Sequence, residues 1–153
     1  MDKRRAKLIM SQVMYPHQAN LAGNVHGGEV MKAMDMAAAA VARRYARSNV
    51  VTARVDELQF HHPIFVGNLI TLTATIAYVG RTSMEVIVNV DVEDLVADSE
   101  PIRALSSYFT MVALDKNGVP KQVPPYVPET EEEKRLYDTI KKRREAIKKI
   151  RKE

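Results

Sequence analysis

Hydrophobic and polar positions along the chain predict strands in some stretches and one buried helix in another. Residues 6–13 predict a short first strand. Residues 14–27 predict a loop, because they contain Pro16, Asn20, Gly23, Asn24 and Gly27. From Gly28 to about Arg47 the chain is apolar almost all round and has no internal glycine or proline, which is typical of a buried helix.

After this helix the pattern changes to the period of a strand. Four stretches predict strands: residues 50–60, 68–79, 84–94 and 102–114. In the first, alternation places one set of side chains on one face (Val51, Ala53, Val55) and a second set on the other (Thr52, Arg54, Asp56). The order of elements predicts an α+β domain in which one long antiparallel sheet covers one central helix.

The C-terminal part of the chain has a different composition. Residues 119–128 contain four prolines and predict an extended segment. Thr130 and Glu133 have the spacing of a capping box, which predicts the start of a final amphipathic helix. We therefore expect a domain over residues 1–128 and a basic C-terminal helix over residues 129–153. The apolar positions of this helix are Leu136, Ile140, Ile147 and Ile150.

The charge distribution argues against a nucleic-acid-binding body. The net charge is +4, from 23 basic and 19 acidic residues. The basic excess lies in residues 134–153, and the rest of the chain is acidic. The charge pattern of residues 134–153 predicts a solvated helix. Three alternatives stay open: contact with the phosphates of a bound nucleotide, with RNA or with a membrane surface.

Several classes of site are unsupported by the sequence. The chain has no cysteine, which excludes disulfides and a thiolate nucleophile. It has no Gly-x-Ser-x-Gly motif, so a serine nucleophile of that type is unsupported. His61 and His62 are expected on opposite faces of a strand, so we predict no metal site.

Targeting signals are also not evident in the sequence. The basic N-terminus is not followed by an apolar stretch, so we expect no signal peptide. The longest apolar region, residues 31–42, is too short to span a bilayer and contains Lys32 and Asp35. These features predict a cytoplasmic protein without membrane insertion.

The candidate chemistry lies at the start and in the middle of the predicted helix. Gly27 and Gly28 expose first-turn N–H groups that are suited to stabilise an oxyanion, although they could simply form a turn. Asp35 places a charge in an apolar helix, where it must be paired or used. Gly28 and Asp35 face the same way but lie roughly 10 Å apart along the axis. This spacing favours Asp35 supplied by a second, antiparallel helix; a paired structural carboxylate is the alternative.

The motifs together resemble those of one enzyme family. Gly23-Asn24-Val25-His26-Gly27-Gly28 with Met34-Asp35 resembles the hotdog acyl-CoA thioesterases, both the bacterial single-domain and the brain-type tandem-domain hydrolases. Further agreement comes from residues 51–56, from Phe60-His61-His62-Pro63 with Gly67, and from residues 80–84. The resemblance covers about residues 8–115. It implies a hotdog fold and hydrolysis of fatty acyl-CoA to fatty acid and CoA.

The resemblance also implies roles for particular residues. Asn24 and Asp35 would form the catalytic pair from opposite subunits, with the Gly28 N–H polarising the carbonyl. Asp35 would be a general base or a nucleophile that forms an anhydride. The catalytic unit would be a homodimer, commonly assembled as a trimer of dimers. No metal or organic cofactor is implied.

Substrate contacts are expected outside this pair. Gly80, Arg81, Thr82 and Ser83 form the best candidate for pantetheine or phosphate binding, with an ordinary hairpin turn as the alternative. Arg54 could bind a phosphate or Asp56. Gly27 and His26 would contact the substrate near the helix start, His26 as a hydrogen-bonding loop residue.

Two rival functions follow from other hotdog proteins. An enoyl-CoA hydratase pairs its aspartate with a nearby histidine, and no histidine follows Asp35 within the helix. A non-catalytic acyl-CoA sensor usually carries a DNA-binding module, and none is evident here. The acyl chain length is not predicted by any of these patterns.

Overall fold

A five-stranded antiparallel sheet organises the computed structural model, which describes residues 3–152 and the side chains of residues 5–150. Within this range the strands are β1 (Lys7–Val13), β2 (Asn49–Asp56), β3 (Leu69–Val79), β4 (Ser83–Glu93) and β5 (Ile102–Leu114). The two long helices are α1 (Gly27–Ala46) and α2 (Glu131–Lys152). Residues 1 and 2 and Glu153, which belong to the predicted domain and tail helix, lie outside the described residues.

The strand order is β1-β3-β4-β5-β2, so β1 and β2 form the two edges. Leu72 of β3 lies opposite Met10 of β1 and Val90 of β4, and this register places apolar side chains on one face. The observed strands agree closely with the predicted ones except at β2. There the chain leaves the sheet after Asp56, because Glu57 has a left-handed backbone with a φ of 56°. The predicted strand over residues 50–60 is therefore too long.

β2 also departs from the predicted alternation of its side chains. Thr52 lies opposite Met111 and Arg54 lies opposite Thr110, so Ala53 is the extra residue of a β-bulge. A bulge inserts one residue without a partner and shifts the side chains that follow to the other face. Thr52 and Val55 consequently point to the same face, where simple alternation placed them on opposite faces.

α1 packs against one face of the sheet and forms the main core with it. Its sheet-facing positions are mostly alanines, which allow close approach between helix and sheet, and they are fully buried at Ala37, Ala38 and Ala42. The sheet contributes buried side chains to the same cluster: Ile70, Leu72, Ala74, Val86, Val88, Val90, Leu105, Phe109 and Met111. This arrangement confirms the predicted sheet wrapped around one helix.

The prediction that α1 is buried all round is wrong for the single chain. One side of the helix is exposed, and it carries Met31, Lys32, Asp35 and Met36. Asp35 is thus not a core carboxylate, because it lies on this open side. The exposed side borders β2, whose pairing within the described chain is with β5 alone.

α2 lies against the opposite face of the sheet. Its Ile140 is only 2% exposed and packs with Ala77 of β3 and Ile87 of β4, while Leu136 is partly buried beside them. Thr130 accepts a hydrogen bond from the Glu133 N–H at 3.0 Å, as the capping pattern predicted. Only the outer side of this helix is solvated as expected, since its inner side covers the sheet.

The two long helices differ in hydropathy, but neither is a membrane span. Across residues 3–152, the structure contains no helix with both the length and the apolar character needed to cross a bilayer.

Candidate active site

The N-terminus of α1 presents two glycines in succession. His26 is the N-cap residue, with extended backbone angles, and the helix begins at Gly27. The N–H groups of Gly27 and Gly28 belong to the first turn and have no acceptor within the helix. No described atom lies within 4 Å of the position that a Cβ of Gly28 would occupy, whereas Gly27 has the Phe60 ring 3.5 Å away. The amide of Gly28 therefore stands at an open, electropositive helix end.

Asp35 is held by a threonine from the edge strand. The Thr52 hydroxyl donates a hydrogen bond to Asp35 Oδ1 at 2.5 Å. Thr52 precedes the bulge and points, like Val50, to the face of the sheet that α1 covers. A fixed partner leaves the other carboxylate oxygen of Asp35 available on the open side of the helix. Asp35 is thus a paired carboxylate, as the alternative stated, but its partner is the neutral hydroxyl of Thr52 and not a cation.

Asp35, Thr52 and Gly28 line one cavity of about 350 Å³. Its remaining walls are apolar or long side chains, namely Met31, Lys32, Val55, Leu58 and Phe109. The cavity lies at the open edge between α1 and β2. It brings together a carboxylate and a helix N-terminus, the two groups that the sequence predicted for chemistry.

Asn24 lies in a different cavity, of about 410 Å³, together with Gly27. The other walls come from the loop before α1, from α1 and from the segment after β2, namely Val25, Val30, Phe60, His61, His62, Pro63 and Ile64. Within one chain the structure therefore does not bring Asn24 and Asp35 into the same cavity. The two cavities lie on either side of the start of α1.

The loop before α1 contains a second asparagine. The Asn20 N–H donates to the Asn24 carbonyl at 2.8 Å, and its side-chain Oδ1 accepts from the Ala22 N–H at 3.0 Å. Gly23 has a φ of 90°, which closes this turn. Asn20 is exposed and Asn24 is half-buried. The sequence analysis treated Asn20 as a loop residue only, and it likewise assigned no functional role to Thr52, because a threonine in a strand is ordinary.

Gly80, Arg81, Thr82 and Ser83 form a tight turn. The Gly80 N–H donates to the Ser83 carbonyl at 2.8 Å, and the carbonyls of Arg81 and Thr82 accept from Val123 and Ala113. A Cβ at Gly80 would lie 2.8 Å from Arg144 Nη1 of α2. The turn packs against the proline-rich segment and α2, and it lines neither the Asp35 cavity nor the Asn24 cavity.

Other predicted site residues have partners elsewhere. Arg54 Nε donates to Asp56 Oδ1 at 2.9 Å, so the structure shows the carboxylate partner among the two alternatives. The exposed His26 donates its backbone N–H to the Gln18 carbonyl at 2.9 Å. His61 and His62 follow the end of β2 and both line the Asn24 cavity, so the premise that they alternate across a strand is wrong. Among the described residues, no three His, Cys, Asp or Glu side chains cluster as a metal site would require.

Comparison with known proteins places this geometry in one family. The model of the Thioesterase superfamily matches residues 22–97. The cytosolic acyl coenzyme A thioester hydrolase of Mus musculus is 43% identical over 129 residues, which are 84% of this chain and 34% of that protein. An apo-hexameric acyl-CoA thioesterase has a TM-score of 0.90 and 40% identity, covering 96% of this chain and 94% of the other.

An acyl-CoA hydrolase from Staphylococcus aureus, solved with butyryl coenzyme A and coenzyme A, is also similar. It has a TM-score of 0.87 and 36% identity, covering 97% of this chain and 90% of that one. Three further structures of this hydrolase each carry one alanine substitution. The first replaces an asparagine, the second an aspartate 15 positions later, and the third a threonine 17 positions after the aspartate. Identity at this level, over nearly the whole length of both chains, shows that this chain belongs to the acyl-CoA thioester hydrolases of the thioesterase superfamily.

Proposed function

We propose that this protein hydrolyses the thioester of fatty acyl-CoA to a free fatty acid and CoA. The observation that supports it best is the Asp35 carboxylate, held by the Thr52 hydroxyl in a cavity on the open side of α1. Asp35 accepts a proton from a water molecule, which attacks the thioester carbon. The carbonyl oxygen gains negative charge as it does so, and the Gly28 N–H at the N-terminus of a second protomer's α1 stabilises that charge. The tetrahedral intermediate then collapses, its C–S bond breaks, and the departing CoA sulfur takes up the proton that Asp35 had accepted.

The catalytic unit in this proposal is a dimer joined at β2. β2 is an edge strand, and the neighbouring open side of α1 exposes Met31 and Met36, so association would cover apolar surface and pair the edge. Met31 and Lys32 lie midway between Gly28 and Asp35. Two antiparallel α1 helices centred on that midpoint would bring Gly28 of each protomer beside Asp35 of the other. The hexameric relative supports further assembly as a trimer of dimers.

A single introduced cysteine tests this arrangement, since the chain has none of its own. We expect Met31→Cys to form a disulfide-linked dimer under mild oxidation, observed on a non-reducing gel. Ala146→Cys, on the exposed side of α2, is the matched control and should remain unlinked. Equal crosslinking of both variants would contradict the proposed helix pairing.

Two asparagines, Asn20 and Asn24, are candidates for the side-chain amide that acts together with Asp35. The motif resemblance favours Asn24, which is half-buried in the cavity beside Gly27. The spacing of the three altered residues in the S. aureus hydrolase favours Asn20 instead. Asp35 lies 15 positions after Asn20, and Thr52 lies 17 positions after Asp35, which are the same two spacings. We propose Asn20 as the residue that orients the water or thioester, with Asn24 shaping the turn.

The remaining assignments concern the nucleotide end of the substrate. Arg54, Gly80, Arg81, Thr82 and Ser83 lie outside the Asp35 and Asn24 cavities of one chain. We propose that they contact the CoA of a substrate bound at the Asp35 cavity of a neighbouring subunit. We propose that the reaction needs no metal or organic cofactor, because a carboxylate and a helix N-terminus supply the base and the oxyanion site. We propose a cytoplasmic location because the Mus musculus relative is a cytosolic acyl coenzyme A thioester hydrolase.

The test is release of free CoA from a panel of acyl-CoAs of increasing chain length. We expect the parent to hydrolyse part of the panel, and Asp35→Asn to lose about 10²–10⁴-fold in kcat, the usual contribution of a general base. Asn20→Ala and Asn24→Ala serve as controls for each other. The larger loss in kcat identifies the catalytic amide.

Two outcomes would change the proposal. If the parent binds acyl-CoA without releasing CoA, the chain is an acyl-CoA sensor and Asp35 is a structural carboxylate. If one turnover in ¹⁸O-water places ¹⁸O in the Asp35 carboxylate, Asp35 acts as a nucleophile through an anhydride rather than as a base.

A further inference from the structure

The segment over residues 57–64 borders both cavities of the candidate site. Leu58 lines the Asp35 cavity, and Phe60 lines the Asn24 cavity with its ring 3.5 Å from the Cβ position of Gly27. Apart from α1, this is the described stretch of chain that contributes to both. A shift of these side chains would change the shape of both cavities at once.

The backbone of the segment is anchored to β5 and to the loop before α1. The His61 N–H donates to the Ala104 carbonyl at 2.8 Å, and the Ile64 carbonyl accepts from the Val25 N–H at 2.7 Å. These bonds fix its middle and its end. Its beginning is Glu57, whose left-handed backbone, with a φ of 56°, turns the chain out of β2. A non-glycine residue in this region needs support from its surroundings.

That support comes from the other face of the sheet, through α2. Arg143 Nη1 donates to Glu57 Oε1 at 2.5 Å, and Arg143 Nη2 lies 3.9 Å from Asp56 Oδ2. The guanidinium lies 4.3 Å from the centre of the Tyr108 ring, a cation–π contact that fixes its orientation. Burial opposes the charge of Arg143, but the hydrogen bond to Glu57 and the nearby carboxylates hold its pKa above the usual value.

The end of β2 is held by further bonds. Arg54 contacts Asp56 at 2.9 Å, and the Ser107 hydroxyl donates to the Asp56 carbonyl at 2.5 Å. Arg143 therefore links α2 to Asp56, the fixed end of β2, and to Glu57, the next residue along the chain. Because the Glu57 side chain is 60% exposed, its ion pair adds little to global stability. Its effect is expected to be local, on the direction in which the segment leaves β2.

We propose that Arg143 is a positioning residue for the hydrolysis: by holding Glu57 from the far face of the sheet, it sets Leu58 and Phe60 in the two cavities. This rests on the proposed function, and it assigns α2 a role in the geometry of a site that α2 does not touch. The substrate group concerned is the acyl chain and thioester, since Leu58 and Phe60 are apolar.

The experiment uses the full-length protein with Arg143→Gln, and Lys142→Gln as the matched control. Lys142 is the exposed neighbour on the same helix, and its change removes the same charge. We expect Arg143→Gln to lower kcat/KM by about three- to tenfold, in the lower part of the range of coupling between contacting side chains, mainly through KM. Arg143→Lys should restore part of the loss. Glu57→Gln should give a similar loss that is not additive with that of Arg143→Gln.

Amide hydrogen exchange of residues 57–64 provides a readout that does not depend on activity. We expect faster exchange in Arg143→Gln than in Lys142→Gln, with similar melting temperatures for both variants. Unchanged kcat/KM and exchange in Arg143→Gln beside an active parent would overturn the inference. So would a loss that Lys142→Gln reproduces. If instead the parent releases no CoA, the proposed function has failed, and the exchange comparison alone decides whether Arg143 positions the segment.

Discussion

The two faces of the sheet hold their helices by different interactions. α1 lies on a face where the buried contacts are mostly apolar and close, with alanines against fully buried valines, leucines and isoleucines. α2 lies on a face where one buried isoleucine, Ile140, is surrounded by tyrosines, arginines and carboxylates. Close apolar packing tolerates neither loss nor gain of volume. Ion pairs and cation–π contacts tolerate small shifts and respond to pH and salt.

This contrast assigns different roles to the two helices. The buried side of α1 is a fixed support, so chemistry is placed on its opposite, open side at Gly28 and Asp35. α2 is held to the sheet at separate points, and its Arg143 contacts Glu57, which begins the segment bordering the site. The predictions below test whether the two faces differ as described.

The largest effect is expected for Leu72→Ala, on the α1 face. Leu72 is fully buried between the strands and α1. Its truncation should cost about 3–5 kcal/mol in the free energy of unfolding, since a rigid alanine-lined helix cannot collapse into the cavity. Urea denaturation followed by circular dichroism measures the loss. A loss below about 1 kcal/mol would show that α1 is not the fixed support.

The next largest effect is expected for Ile140→Ala, on the α2 face. Ile140 is buried, but it lies beneath a surface helix that is free to adjust, so about 2 kcal/mol is expected, at the low end for such a truncation. The matched control is Ile150→Ala, because Ile150 is 73% exposed, and it should be nearly neutral. Limited proteolysis should release α2 from the first variant while the remainder stays folded. Simultaneous loss of the whole fold would show that both faces form one cooperative unit.

A smaller effect, dependent on pH, is expected for Glu85→Gln beneath α2. Burial raises the pKa of Glu85, while the hydrogen bond from Thr110 at 2.8 Å and the charge of Arg144 oppose this. A raised pKa means that the folded state favours the protonated form. This stabilisation is complete below the pKa of the unfolded chain and is lost as pH rises through the folded pKa.

Glutamine stays neutral at every pH, so the variant should be more stable than the parent at pH 8 and similar to it at pH 4. Thermal melts at both values measure the difference. A less stable variant at pH 8 would show that the pairing with Arg144 outweighs the cost of burial.

The smallest effect on stability is expected for Gly28→Ala, and it has the opposite sign from the two truncations. No described atom obstructs a Cβ at this position, and alanine favours a helix over glycine, so a gain of up to about 0.5–1 kcal/mol is expected. The added methyl group would occupy the space proposed for the thioester carbonyl, so kcat/KM should fall. Glu29→Ala, one residue further along the same turn, is the control for activity. Full activity in Gly28→Ala would remove Gly28 from the proposed oxyanion site.

The sequence determined much of the fold, because the relevant signals are local. Period-two stretches located the strands, with β5 predicted at its observed bounds, and an apolar stretch without glycine or proline located α1. The motif around Gly27, Gly28 and Asp35 indicated the family that the comparisons show. It also placed a carboxylate on the same side of the helix as its N-terminus, through helical spacing alone.

The tertiary structure decided what depends on contacts between distant residues. The bulge at Ala53 turned Val55 to the same face as Thr52, and a left-handed Glu57 ended β2 before its pattern did. Neither event leaves a local signal, since alanine gives no sign of a bulge and a left-handed glutamate is stabilised by neighbours from other elements. The side of α1 that is open, and the contact of Arg143 with Glu57 across 86 residues of chain, likewise follow from packing, because sequence periodicity identifies faces but not the partners that cover them.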